Sequence, residues 1–413
     1  MNLLTLHGDG PREKARIRIV YALLGTAFFV PLQLYIMEIF FSAAFILGIF
    51  YFVKYGVPAY TGKPLVYPAL AFAATALVSL AGAPQAWLGL AFYVFTVLQY
   101  TVLFLGIVLF VKGEEEKRLF LRVILAGAFF VALYGLYQYV HMLTLQETEW
   151  VDRSAFPLLR RRMYSTLYNP NLLSCYLLMA MSVAGGYTFW TKDGRERAMS
   201  AGLFCLLGLC LLLTYSRGAW MGAAVLVFIF GLVRDKRLWL FFLTVPLVLS
   251  FYHGGIADRL VSIFSYREAD TSFAMRLDMW SDAVVMWLDH PFFGIGWGAF
   301  KFAYPAYNEL IQKAGIVIFH CHNLFLNILA ETGIFGFCTF FSFFFGHLRY
   351  GRDILRGTAE DSFEYMTATV IITVVATVAV TGISDDDLFS TQVSMMFWLI
   401  SSLFCNNNKA YRK

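Results

Sequence analysis

Charge is what this sequence has least of. Only 14% of its 413 residues are Asp, Glu, Lys or Arg, where a soluble domain carries about a quarter. That shortage excludes a water-soluble globule. Cysteine is scarce where it could cross-link: Cys175, Cys205, Cys210, Cys338 and Cys405 lie within or at the end of apolar runs, and only Cys321 falls in a long polar loop. A disulfide framework is therefore not expected. No cleavable leader is expected either. Arg12, Lys14, Arg16 and Arg18 precede an apolar run of roughly 35 residues with no A-x-A-like site after it, far beyond a leader's apolar stretch of about 7 to 15, so an uncleaved first helix is expected. There is no internal repeat and no low-complexity tract. The net charge of +5 does not point to nucleic acid, because the basic residues sit in short clusters between apolar runs and read as topology signals.

What the chain has instead is 59% hydrophobic residues, with 42 Phe and 23 Tyr. Apolar stretches near 17–33, 36–53, 64–82, 87–111, 119–141, 171–191, 198–215, 218–233, 238–252, 323–346, 365–383 and 388–405 are each long enough to span or nearly span a bilayer. The expected fold is all-α and polytopic, with about twelve spans; the first two are separated near Pro31 to Tyr35. With both termini inside, the inner loops gather most of the 32 Lys and Arg, as the positive-inside rule requires. Three regions follow: 1–252, with spans 1 to 9 and an outer loop at 142–170; 253–322, an outer segment; and 323–413, with spans 10 to 12 and an inner tail. A connection of about 70 residues is too long to be a plain loop and should carry function. Within it, Phe273, Leu277, Trp280, Val284, Trp287 and Leu288 recur at steps of three and four before Pro291, which predicts an amphipathic helix on the bilayer surface or on the bundle. The GIGWG that follows comes after a helix, not a strand, and is expected to be a tight turn and not a nucleotide loop.

Polar residues that are costly near lipid collect at the outer level. In HCHNLFLNILAETGIFGF (320–337), Asn323, Asn327 and Glu331 are spaced by four and form one stripe that must face the bundle interior. His322 stands at the outer end of that helix, where a water-side acceptor and a lipid-borne donor could meet, and a histidine there suits a general base. The competing reading is that His320 and His322 are interfacial residues satisfied by backbone. A zinc site on His320, Cys321 and His322 has no second ligand cluster with metal spacing, so no metal or cofactor is expected. Arg217 occupies a tight outer turn, Arg276 opens the amphipathic helix, and Arg160, Arg161 and Arg162 cluster outside against the charge trend. Arginine at every one of these positions suits bidentate recognition of phosphate oxygens; headgroup contacts for Arg160 to Arg162 and a cation over Trp280 for Arg276 are the alternatives. Asp385, Asp386 and Asp387 lie between the last two spans and are expected to form an ordinary solvated turn, with a metal-binding or catalytic carboxylate group as the alternative.

In this order the motifs resemble the O-antigen ligase and polymerase superfamily of bacterial membrane glycosyltransferases. They are R-x-x-S-T-x-x-N-P-N (Arg162 to Asn171), S-R-G (Ser216 to Gly218), R-x-x-x-W (Arg276 to Trp280), P-x-x-G-x-G-x-G (Pro291 to Gly298), H-x-H-N (His320 to Asn323) and E-x-G-x-x-G (Glu331 to Gly336). The resemblance covers mainly residues 160–340; the first 150 residues match only in topology. It is closest to the ligases, whose H-N pair followed by glycine maps onto His322, Asn323 and Gly333. It implies a GT-C-like fold with a helical periplasmic segment between helices 9 and 10, in the bacterial inner membrane. It also implies metal-independent, inverting transfer of a glycan from undecaprenyl diphosphate to a hydroxyl of a lipid A-core type acceptor on the periplasmic side. His322, Arg217 and Arg276 would be catalytic, and Arg160, Arg161, Arg162, His320 and Asn323 would bind substrate. A polymerase or a protein O-oligosaccharyltransferase of the same superfamily is the alternative. An anion or lipid transporter fits less well, since no repeated pair of broken helices is present.

Overall fold

The computed structural model describes residues 6, 8–58, 64–141, 161–244, 271–308 and 317–405. All regular structure among them is helical. The elements are α1 (Pro11–Phe29), α2 (Leu34–Tyr55), α3 (Val66–Ser79), α4 (Ala86–Phe110), α5 (Gly113–His141), α6 (Pro170–Trp190), α7 (Gly194–Leu213), α8 (Arg217–Val233), α9 (Thr271–Asp289), α10 (Leu324–Gly357), α11 (Phe363–Gly382) and α12 (Thr391–Cys405). Seven of them, α2, α4, α5, α6, α7, α10 and α11, are long and apolar enough to cross a membrane, and the apolar helices at α3, α8 and α12 are shorter. The chain is a polytopic α-helical membrane protein. The first apolar run divides between Phe29 and Leu34, where Pro31 interrupts it. The stretch expected to form a span at 238–252 begins within a short 3₁₀ turn, Lys236–Leu240, and its remainder from 245 lies outside the described residues. So do Arg160 and most of the outer loop at 142–170.

Local signals set the helix starts. The Asn169 side chain accepts from the N–H groups of Asn171 and Leu172, with Pro170 at the first helical position of α6. Asp193 caps α7, Asn323 caps α10 and Ser362 caps α11 in the same way. A buried bidentate pair, Arg16 to Glu116, ties the start of α1 to the start of α5. Helix α11 packs between α6, α8 and α10, and α9 lies against α10.

Two irregular segments interlock beside this packing. Helix α10 is broken at Gly333, which holds φ 63° and ψ −168°, and the 291–298 loop enters the break. Ile295 and Gly296 donate to the carbonyls of Ala330 and Glu331, and Ile334 donates to that of Pro291. Backbone that leaves a helix at membrane depth must find partners inside the protein, and here each segment supplies the other's. GIGWG is the expected tight turn, with positive φ at Gly294, Gly296 and Gly298. The N–H groups of Gly298 and Phe300 go to the buried Glu331 carboxylate at 2.9 and 3.1 Å, so they are not open to a phosphate. The amphipathic helix is present as α9, and the face it turns to the protein lies beside the periodic apolar stripe. Met279, Ala283 and Met286 are buried, while Leu277 and Leu288 are 45% and 61% exposed. Small and flexible side chains fit closely against α10, and the bulkier apolar ones are left outward.

The Gly333 break should tolerate no side chain. A Cβ there would overlap the carbonyl carbon of Phe292, at a φ that only glycine adopts readily. Gly333→Ala should lower unfolding stability in detergent by at least about 2 kcal/mol. Gly357→Ala, where nothing lies within 4 Å, should stay within about 0.5 kcal/mol. Equal melting of both variants would contradict the interlock.

Candidate active site

Residues distant in sequence converge at one end of the bundle, where α6, α8 and α10 begin and α11 ends. His322 lies in the loop just before α10, with a left-handed backbone (φ 53°) that directs the chain into the Asn323 cap. The Asn323 side chain accepts from the N–H groups of Phe325 and Leu326 and donates to the carbonyl of Ile383 at 3.0 Å, joining the His322 loop to the end of α11. Asn327 accepts from the N–H of Cys321. The polar stripe of Asn323, Asn327 and Glu331 is buried, as its spacing predicts, and it pins two loops.

The partner of His322 is Asp385. Its Oδ1 lies 2.8 Å from His322 Nδ1, and its Oδ2 accepts from Asn171 Nδ2 at 2.7 Å. Arg162 in turn donates to Asn171 Oδ1 at 2.7 Å and to the carbonyl of Thr214 at 2.8 Å. Burial works against the Asp385 charge, but the His322 hydrogen bond, with the positive charges of His322 and Arg276, holds the carboxyl well below the usual range. An ionised carboxylate can only accept, so it fixes the proton on Nδ1 and leaves Nε2 open.

The aspartate turn corrects an expectation. Asp385, Asp386 and Asp387 are not a solvated turn: they are 7%, 3% and 1% exposed, because α6, α10 and the start of α12 pack around them. Three adjacent buried acids do not all ionise. Burial, followed by the charges of Glu331 and Asp385, pushes Asp386 far up; burial, followed by the Asp385 charge, pushes Asp387 up to about 7. Asp387 Oδ2 makes no hydrogen bond among the described residues.

The other expected site residues are distributed unevenly. Trp280, one turn beyond Arg276, donates to the His322 carbonyl at 3.3 Å, which holds α9 over the site. Arg276 forms no hydrogen bond or ion pair among the described residues, yet its charge acts on Asp385, Asp387 and His320. Arg217 is the first residue of α8; its neighbour Gly218 packs against Ser384, and a Cβ on it would lie 2.6 Å from the Ser384 hydroxyl. Arg161 is directed elsewhere, with its guanidinium 4.3 Å from the centre of the Tyr139 ring. His320 stacks edge-on against His322, with ring centres 4.5 Å apart, and its Nδ1 accepts the His322 N–H, so the ring is a neutral acceptor. His320, His322 and Asp385 place ligand atoms within 4.8 Å of one another. Asp385 Oδ1 also accepts from the Asp386 N–H, and its Oδ2 from Asn171.

Residues 202–341 match the O-antigen ligase family. The matched segment contains Arg217, Arg276, the H-x-H-N sequence and the Gly333 break; Arg162, Asn171 and Asp385 lie outside it. The resemblance to the O-antigen ligase superfamily is thereby borne out over that segment, and it supports a ligase-type activity, or a related one, on glycan substrates. No match is found among the curated proteins.

Burial, with smaller contributions from neighbouring positive charges, pushes His320 down to about 4. In the unfolded chain it would take up a proton near 6.5, so between those values the unfolded state binds more protons and acidification destabilises the fold. His320→Gln should remove that share of the acid sensitivity. Ring-nitrogen NMR should find the His320 midpoint near pH 4, and a midpoint near 6.5 would contradict its half-buried, neutral setting.

Proposed function

We propose that the protein transfers a glycan from a lipid-linked diphosphate, of the undecaprenyl type, to a hydroxyl of a lipid A-core type acceptor, with His322 as general base. The observation that carries this reading is the 2.8 Å pairing of His322 with a buried, ionised Asp385. Asp385 holds Nδ1 and favours the imidazolium that forms when Nε2 takes the acceptor's proton. The acceptor oxygen then bonds to the anomeric carbon, the bond from that carbon to the diphosphate breaks, and the electron pair leaves on the diphosphate. Direct attack inverts the anomeric centre. The departing charge needs cations, and Arg276 and Arg217, near the aspartate turn, are the candidates. Arg162 acts through Asn171 as a positioning residue. No cofactor enters this scheme.

A lipid-borne donor also needs an apolar way in. A cavity of about 260 Å³ beside the site is lined by Phe92, Phe95, Phe319 and Phe389, with Lys301 among them, and Phe389 stacks 5.0 Å from His320. This supports entry from the membrane. The basic loops at the opposite end, including Lys112 to Arg122 and Lys192 to Arg197, support a cytoplasmic placement for that end and an outward, periplasmic site in an inner membrane. On this view 253–322 is an outer segment between two membrane regions, 1–252 and 323–413.

Transfer by the purified protein, with donor and acceptor supplied, tests the scheme. His322→Ala should lose about 10²- to 10⁴-fold in rate while still binding donor. Asp385→Asn should lose at least about 10²-fold with the fold intact. His320→Ala should cost much less, and a chelator nothing. Arg217→Lys and Arg276→Lys should be nearly as damaging as alanine, in donor binding and in turnover, because an ammonium keeps charge but loses the fork. Near-normal transfer by a folded His322→Ala would overturn the base assignment.

A further inference from the structure

The aromatic cavity of about 260 Å³ beside His320 has one ionisable residue in its lining, Lys301, and no acid among the described residues. Leu88, Phe95 and Phe319 of the same lining are 55%, 63% and 50% exposed, apolar surface of the kind that meets a membrane. The mouth therefore opens to lipid. A pocket for a whole ligand measures roughly 300 to 1,000 Å³, so this one has room for the end of a lipid while the rest stays in the bilayer.

Its walls are held by specific contacts. Helix α4 contains one wide, π-type turn at Val94–Leu98, a departure found often at functional sites. Thr96 in that turn accepts from Trp297 Nε1 at 3.0 Å, and the Trp297 ring stacks on Phe92 with centres 6.3 Å apart. Phe92 meets Phe389 at 5.6 Å, and Phe389 meets His320 at 5.0 Å. Lys301 is placed by the glycine-rich loop, since the N–H groups of Gly298 and Phe300 just before it are held by Glu331. Its Nζ lies 4.8 and 5.4 Å from the centres of the Phe302 and Phe319 rings, and it forms no hydrogen bond or ion pair among the described residues. Glu331, on which the Lys301 charge acts, is occupied by those two N–H groups. A half-buried ammonium set among aromatic faces is thus left without an anion.

We propose that Lys301 is a donor-binding residue: its ammonium receives the diphosphate of the lipid-linked glycan as the donor enters, with the first prenyl carbons against Phe92, Phe95 and Phe389. The assignment rests on the glycan-transfer reading and adds to Arg217 and Arg276 a cation on the lipid side of the site. A compact charge on a flexible stem suits an entry contact, because it can follow a moving phosphate where a guanidinium fork requires fixed geometry. Lys301 then governs capture of the donor and not the chemical step.

Initial rates with the full-length protein in phosphatidylcholine nanodiscs, at saturating acceptor, test it. Lys301→Ala should raise the donor KM about tenfold, the worth of one hydrogen bond to a charged group, with kcat unchanged. Lys301→Gln, which keeps the stem against Phe302 and Phe319, should match it, and Lys301→Arg should restore most of the affinity. Binding of undecaprenyl diphosphate without sugar should weaken by the same factor in both neutral variants, and phosphatidylglycerol should not displace it from the wild type. An unchanged donor KM in the neutral variants, while the wild type transfers normally, would overturn the Lys301 assignment alone. So would a fall in kcat at constant KM, or displacement by phosphatidylglycerol, which would make the occupant an ordinary headgroup. A wild type that neither binds undecaprenyl diphosphate nor transfers from its glycan-linked form would remove the donor reading itself, and this site with it.

Discussion

A carboxylate kept ionised while almost fully buried is the constraint around which this end of the molecule is built. Moving such a charge out of water costs several kcal/mol unless every lone pair is met. Asp385 offsets that cost with His322 on one oxygen and Asn171 on the other, and Arg162 holds Asn171 in place. These partners come from the start of α6, the loop before α10 and the end of α11. Their meeting fixes how those helices converge. The left-handed turn at His322 and the Asn323 cap follow from it, since the ring must reach Asp385 while the chain enters a helix.

A second buried carboxylate, Glu331, performs the corresponding task one level deeper. It accepts two backbone N–H groups from the glycine-rich loop, and that loop fills the break in α10 at Gly333. The loop follows α9 directly, so the same anchor sets where α9 lies, and α9 carries Arg276 and Trp280 to the His322 loop. Polar groups near lipid thus have two distinct roles here. Asn327 and Glu331 close the backbone of irregular segments, whereas His322, Asp385 and Arg276 keep their chemistry available at the end of the bundle.

Much of this was legible in the order of the residues. Hydropathy finds the spans because a bilayer demands about twenty apolar residues at a time, and the stripe of Asn323, Asn327 and Glu331 announces an inward face by its spacing. His322 was legible for the same reason, as a titratable group where lipid begins. Asp385 was not. Three aspartates in a short turn look solvated, and only the packing of α6, α10 and α12 around them, which no local pattern records, makes them buried. Arg162 was visible as a cation but not as a donor to Asn171, and Arg161 beside it turns to Tyr139. Which face of α9 meets the protein was left open by periodicity, because Leu277 and Leu288 carry more hydrophobicity than Met279, Ala283 and Met286, while close packing selects shape.

A structure with an undecaprenyl-diphosphate-linked sugar bound bears most directly on the central claim. The diphosphate should lie between Arg276 and Arg217, with the anomeric carbon on the Nε2 side of His322 and the lipid chain leaving past Phe389. A diphosphate bound away from this end of the bundle, or held with His322 turned from the sugar, would contradict the account.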